Sequence, residues 1–410
     1  MGKASTVGSR DHGIEGLRGL AAYSVLIAHC ATIFATAGVS GGYVAGQGFA
    51  LMTHGVTLFF VLSGYLLYLP FARNLIEGHR APSIRTFYRN RVLRIYPAFL
   101  VILAVSGFVL GTTVIRPQPL GVDVGDRLGY LTDPILLLKN LTLTHGYFAS
   151  SFDSGISPSW SLVPEIAFYA VLPATWLLAR RLRGHRTGTR AALLPPLLLI
   201  VLGTIGYAAA VVLMATQGDN ALFASTWPAV FLHSFPATCE LFGFGMLIAV
   251  VVTALRAPQC ADATVRRARR LAVVALALAA VGYFPALMLK VPYYDVGIAC
   301  AALVLLTVAP GGGRIQDGWI RFLESAPVAR AGLISYGVYL WHYPLALFLR
   351  REFPDLAYGT WGGMLVALLV MAASTTVLSV LTYRFVEKPA LAHKKSMVAT
   401  EAPAPVVSQS

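Results

Sequence analysis

Ten apolar runs, each close to the length needed to cross a bilayer, dominate this chain. They fall at about 15–35, 54–71, 93–113, 158–179, 192–216, 230–255, 270–289, 293–310, 333–350 and 360–383. A helix needs roughly 20 consecutive apolar residues to span the hydrocarbon layer, where its backbone must satisfy its own hydrogen bonds. The chain is 57% hydrophobic and 12% charged, whereas soluble domains carry about 25% charged residues. The expected fold is therefore all-α: a polytopic membrane protein of about ten transmembrane helices.

The connections set its orientation. Segment 72–92 carries Arg73, Arg80, Arg85, Arg89 and Arg91, segment 180–191 carries Arg180, Arg181, Arg183, Arg186 and Arg190, and segment 256–270 carries Arg256, Arg266, Arg267, Arg269 and Arg270. The alternate connections at 36–53, 217–229 and 290–292 hold one basic residue between them, Lys290. Excess Lys and Arg marks the cytoplasmic side, so both termini are expected inside. The net charge of +14 is then membrane-loop charge, and it does not indicate a nucleic-acid partner. Segment 114–157 falls outside, and its part from Leu131 to His145 is too short and polar to span. It reads as an amphipathic or re-entrant lid. Residues 1–390 form one membrane-embedded domain in this reading, and 391–410 a disordered cytoplasmic tail. Cys30, Cys239, Cys260 and Cys300 show no metal-ligand or redox spacing, so no metal is expected.

Ionisable residues inside apolar helices are costly and usually face a cavity or a partner. In the first run Arg18 and His29 are eleven residues apart. Eleven residues turn through about 20° more than three full turns, so the two share a face, roughly 16 Å apart along the axis. The plainer alternative is an arginine snorkelling to the interface and a histidine satisfied in the core. With the topology above, His29 and Glu165 come to similar depth on different helices. A general base with an orienting carboxylate is one reading of that pair; a structural hydrogen bond between helices is the other. Arg91 and Arg94 lie one turn apart where a span begins, and with Arg18 they suit a phosphate-binding cluster. Ordinary positive-inside anchoring is the alternative there. Glu240 and His342 sit near the midplane, where either suits a substrate path. Gly243 and Gly245 next to Glu240 suit close helix packing or a cavity, and Gly64 next to Ser63 suits close packing, although Ser63 also offers a hydroxyl nucleophile. Three function classes are open: an enzyme, a proton-coupled transporter or flippase using Glu240, His29 and His342, and a non-catalytic membrane partner of a cell-envelope enzyme.

Several blocks resemble the acyltransferase-3 family of bacterial integral-membrane O-acyltransferases. They are Glu15-Gly-Leu-Arg-Gly through His29, Gly55-Val-Thr-Leu-Phe-Phe-Val-Leu-Ser-Gly-Tyr65, and Arg91-Val-Leu-Arg-Ile-Tyr-Pro97. Ser159-Trp-Ser-Leu-Val-Pro-Glu165, Ile334-Ser-Tyr-Gly-Val-Tyr-Leu-Trp-His342 and Glu387-Lys-Pro389 follow in the family's order. The resemblance implies an acyl-CoA donor entering from the cytoplasm, and transfer of an acyl group, acetyl or another short one, to a hydroxyl. The acceptor class it implies is a sugar, a glycolipid or an antibiotic scaffold such as a macrolide. The family's Arg-x10-His pair falls on Arg18 and His29, its Arg-x-x-Arg element on Arg91 and Arg94, and its Trp-Ser-Leu…Glu block on Trp160 to Glu165. Where the family often has aspartate, this chain has Glu15 and Thr57. The expected machinery is thus His29 with Glu165 for catalysis, Arg18, Arg91 and Arg94 for acyl-CoA, and Ser63, Trp160, Glu240 and His342 near the substrate.

Overall fold

The computed structural model describes residues 13–34, 43–116, 127–184, 187–215, 225–288, 293–354 and 361–395. Each of the ten apolar runs contains a helix among the described residues. The helices are α1 (Ile14–Phe34), α2 (Tyr43–Thr53), α3 (Gly55–Glu77), α4 (Ile84–Ala104), α5 (Pro134–Leu141), α6 (Leu162–Arg183), α7 (Thr189–Ala215) and α8 (Trp227–Leu232). They continue as α9 (Cys239–Leu255), α10 (Asp262–Met288), α11 (Tyr293–Val308), α12 (Gly313–Leu323), α13 (Ala326–Leu333), α14 (Ser335–Glu352), α15 (Trp361–Thr382) and α16 (Lys388–Ala392). Among the described residues six helical segments are long and apolar enough to cross a membrane, up to seven if α11 and α12, bent by 101°, count as one span. The molecule is an all-α, multi-pass membrane protein. The expected run at 230–255 is interrupted, because Pro236 and the turn at Phe235–Ala237 separate α8 from α9, which has only 17 residues. Broad apolar faces remain exposed on α7 (Leu197, Val201, Ile205), α10 (Val274, Leu278, Val281) and α15 (Leu365, Leu369), as lipid contact requires.

Local chemistry sets the helix ends. Ser83 caps α4, its hydroxyl accepting from the Thr86 amide at 3.3 Å, and Asp133 caps α5 at the Ile135 and Leu136 amides. Gly78 ends α3 in the left-handed region at φ 75°, which a residue without Cβ adopts without strain. The segment expected to form a lid is neither a span nor a free loop. Strands β1 (Thr113–Val114) and β2 (Leu128–Gly129) pair antiparallel, and Val114 also bridges to Gly155. A buried Arg127–Asp153 ion pair fastens the segment.

Glycines decide how closely the central helices approach. A Cβ on Gly64 of α3 would overlap the Phe242 carbonyl of α9, and one on Gly245 of α9 would overlap the Val61 carbonyl of α3. Backbones that touch in this way gain dispersion contact that lipid cannot replace. On α1, Gly16 meets the Leu323 backbone and Gly19 the Gly332 amide, which sets the height of the intervening Arg18. Gly245→Leu is expected to destabilise the protein by about 3 kcal/mol or more, through overpacking that no rotamer relieves. Gly318→Ala, where a Cβ meets nothing, serves as the neutral control. Thermal unfolding in detergent measures both, and equal midpoints would refute the packing argument.

The stretch expected to be a disordered tail departs from that expectation at its start. Helix α16 runs to Ala392, and the Asn90 side chain holds Lys395 from both sides, donating to its carbonyl at 2.8 Å and accepting from its amide at 3.2 Å. The physical reason is a buried amide on α4 whose donor and acceptor match the C=O and N–H of a single residue. Residues 396–410 lie outside the described residues.

Candidate functional site

Two cavities lie within the bundle and meet at Val56, Phe60 and Tyr339, which line both. The smaller, about 120 Å³, is walled by Arg18, Ser63, Arg91, Arg94, Glu165 and Tyr336. The larger, about 370 Å³, is lined by His29, His54, Arg127, Trp160, His233 and Glu240, among others. The shared face of Arg18 and His29 on α1 therefore runs from one cavity to the other.

The smaller cavity is a cationic box with aromatic walls. Arg91 lies 5.9 Å over the Tyr169 ring and Arg94 lies 5.5 Å over Tyr336, placements that favour a desolvated guanidinium. Arg94 Nη1 pairs with Glu387 at 3.2 Å, and Arg18 Nη1 with Glu15 at 3.4 Å. Arg91 Nε and Arg94 Nη2 stay buried with no hydrogen-bond partner among the described residues. Leaving such donors unmade is expensive, and an anion placed among them would satisfy them. Arg18, Arg91 and Arg94 are thus brought together as expected.

His29 does not pair with Glu165. Its Nδ1 lies 2.9 Å from Nε2 of His342, whose own Nδ1 is 3.2 Å from the Val338 carbonyl. A carbonyl oxygen only accepts, so His342 carries its proton on Nδ1 and offers the Nε2 lone pair to the Nδ1–H of His29. With its proton on Nδ1, His29 has its lone pair on Nε2, and its side chain lines the larger cavity. Glu165 belongs to the smaller cavity, where one oxygen accepts from Tyr169 at 2.6 Å and Ser63 at 3.2 Å. Equal depth along two helices does not fix the direction in which each side chain points. A carboxylate in a low-dielectric interior is drawn to the hydroxyls and cations around it. Among the described residues Ser63 accordingly has a carboxylate partner and no histidine, while Gly64 beside it serves packing.

The remaining expected residues divide between the larger cavity and its wall. Trp160 lies edge-on to Phe60 at 6.4 Å and to His233 at 4.6 Å. Glu240 is fully buried against Gly203, and neither carboxyl oxygen has a partner among the described residues. The sequence reading missed Tyr169, Tyr336, Tyr339 and Tyr343. Their signal was present: Tyr169 is one turn beyond Glu165, and Tyr336, Tyr339 and Tyr343 recur at helical spacing along α14. Arg127 and Asp153 were missed as well, because their pairing depends on a fold of the outer segment that no periodicity announces.

A helical membrane bundle with this site belongs to a known class. A family model described as an acyltransferase domain matches residues 11–384, and the chain belongs to that acyltransferase-3 family. Among individual relatives, it is 27% identical to the acyltransferase MdmB of Streptomyces mycarofaciens over 92% of this chain and 91% of that protein. It is 24% identical to the peptidoglycan O-acetyltransferase OatA of Listeria monocytogenes, covering 92% of this chain and 55% of the relative. The O-acetyltransferase OatA of Staphylococcus aureus is likewise 24% identical, over 92% of this chain and 56% of its own length. The chain therefore spans about half the length of the OatA proteins it matches. No solved structure matches it.

Proposed function

We propose that this protein is an integral-membrane O-acyltransferase that moves a short acyl group, acetyl foremost, from acyl-CoA to a hydroxyl of a sugar, glycolipid or antibiotic scaffold. It would lie in the plasma membrane with ten spans and both termini in the cytoplasm. The observation that carries the reading is His29, paired through Nδ1 with His342 and lining a cavity that adjoins an arginine-lined one. The nucleotide phosphates of CoA would occupy the cationic box, and the pantetheine arm would extend along the α1 face past Phe60 and Tyr339.

In this mechanism the acceptor hydroxyl lies against His29 in the larger cavity. Nε2 removes its proton as the oxygen attacks the thioester carbonyl, forming the new C–O bond. The C–S bond then breaks, and the departing thiolate recovers the proton from the imidazolium. His342 is a positioning residue here: its lone pair holds the Nδ1–H of His29 and supports the charge that develops. Glu165 orders Tyr169 and Ser63 beside the arginines. The hydroxylated acceptor is named only by class. Both OatA proteins are O-acetyltransferases and MdmB is an acyltransferase, which supports the reaction type.

The test uses purified protein in nanodiscs with labelled acetyl-CoA and a mixed extract of envelope lipids and sugars, followed by mass spectrometry. Acetylated product together with released CoA is the expected result. No product and no CoA binding would overturn the proposal.

A further inference from the structure

The chain immediately after the last long helix is held against α4, the helix that carries Arg91 and Arg94. Arg89 Nη2 donates to the His393 carbonyl at 3.0 Å, while Asn90 grips Lys395 from both sides. The His393 and Lys394 amides close a turn on Ala390 and Leu391, and His393 Nδ1 donates to the Pro389 carbonyl at 3.0 Å. Lys394 is therefore held between two anchored neighbours, and its exposed side chain reaches solvent. The charged groups that face it are Arg91 and Arg94 from α4, Arg18 and Glu15 from α1, and Glu387 from the turn before α16. Partial burial and the three guanidinium groups hold its ammonium down at about 7. Like charges are gathered here at a cost that an anion would relieve.

We infer that residues 393–395 form a fourth wall of the donor site, with Lys394 supplying a fourth cation, besides Arg18, Arg91 and Arg94, to a phosphate of the nucleotide. This rests on the donor reading above and adds to it a residue outside the matched family segment, which ends at 384. An ammonium on a solvent-reaching side chain can approach a ligand arriving from water, whereas the buried arginines wait within. A compact point charge also suits a terminal phosphate, which requires no bidentate geometry. The Asn90 clasp on Lys395, together with the Arg89 bond to His393, is the positioning device, because the two fix the backbone on either side of Lys394.

The experiment is CoA binding to the full chain in nanodiscs by isothermal titration, at pH 8 in two buffers of different ionisation enthalpy. Wild type should bind CoA with net proton uptake, because Lys394 is largely neutral at that pH and a bound phosphate raises its affinity for a proton. Lys394→Gln should bind about three- to tenfold more weakly and lose that uptake, while Lys394→Arg retains most of the affinity. Asn90→Ala should weaken binding in the same direction. Unchanged affinity and proton uptake in Lys394→Gln, on a wild type that binds CoA, would overturn this inference alone. A wild type that binds no CoA would overturn the donor reading and this inference with it.

Discussion

Replacing His29 by alanine is expected to lower acyl transfer by about three orders of magnitude or more, within the range that a positioned general base contributes. CoA binding should stay near wild type, because the arginines that would hold the nucleotide line the other cavity. The loss should therefore appear in kcat and leave the donor KM largely unchanged. His342 makes the prediction sharper. His342→Leu removes the acceptor at 2.9 Å from His29 Nδ1 and should cost about ten- to a hundredfold in kcat. His342→Gln offers an amide oxygen to the same N–H and should recover much of the loss. A structural role for His342 would instead lower the yield of folded protein without rescue by glutamine. A His29→Ala protein with wild-type turnover would remove the base from the mechanism.

The second large effect concerns the arginines. Arg91→Ala is expected to weaken acyl-CoA binding by about ten- to a hundredfold, as loss of charge-assisted hydrogen bonds of about 1.5–3 kcal/mol implies. The buried, unpartnered Nε of Arg91 and Nη2 of Arg94 are the donors at stake. Arg91→Lys should recover only part of the affinity, because a point charge cannot reproduce the planar fork or its stacking over Tyr169. Adenosine 3′,5′-bisphosphate, which carries the phosphates without the arm, should lose affinity in parallel with CoA. Pantetheine should bind wild type and variant alike. Equal CoA affinity in Arg91→Ala and wild type would refute the assignment of the cationic box to the donor.

These two sites differ in how far the sequence discloses them. Arg18 and His29 are legible because both lie on one helix, where a separation of eleven fixes their relative direction. Arg91 and Arg94 are legible for the same reason. The glycines next to Ser63 and Glu240 predicted close helix packing, and Gly64 and Gly245 provide it. The partner of His29 was not legible, since His342 is 313 positions away and reaches it only through the packing of α14 on α1. Depth alone suggested Glu165, but rotation of a helix about its own axis leaves no trace in a hydropathy profile. The break between α8 and α9 was hidden within an apolar run, although Pro236 marks it. Anchoring of Lys395 by Asn90 depends on one buried amide, and composition after Ala390 pointed the other way.

A passage open to water from end to end, cationic at one end and rich in titratable groups at the other, would conduct ions down the membrane potential. Val56, Phe60 and Tyr339 stand where the two compartments meet, and Tyr339 is held by hydrogen bonds to the Pro158 carbonyl and Ser161. An apolar constriction of this kind excludes hydrated ions by dewetting. Such a septum would insulate the membrane, and in the proposed mechanism the thin arm of the donor is what would pass the aromatic rings. A bilayer that holds many copies of such a protein would then keep its voltage.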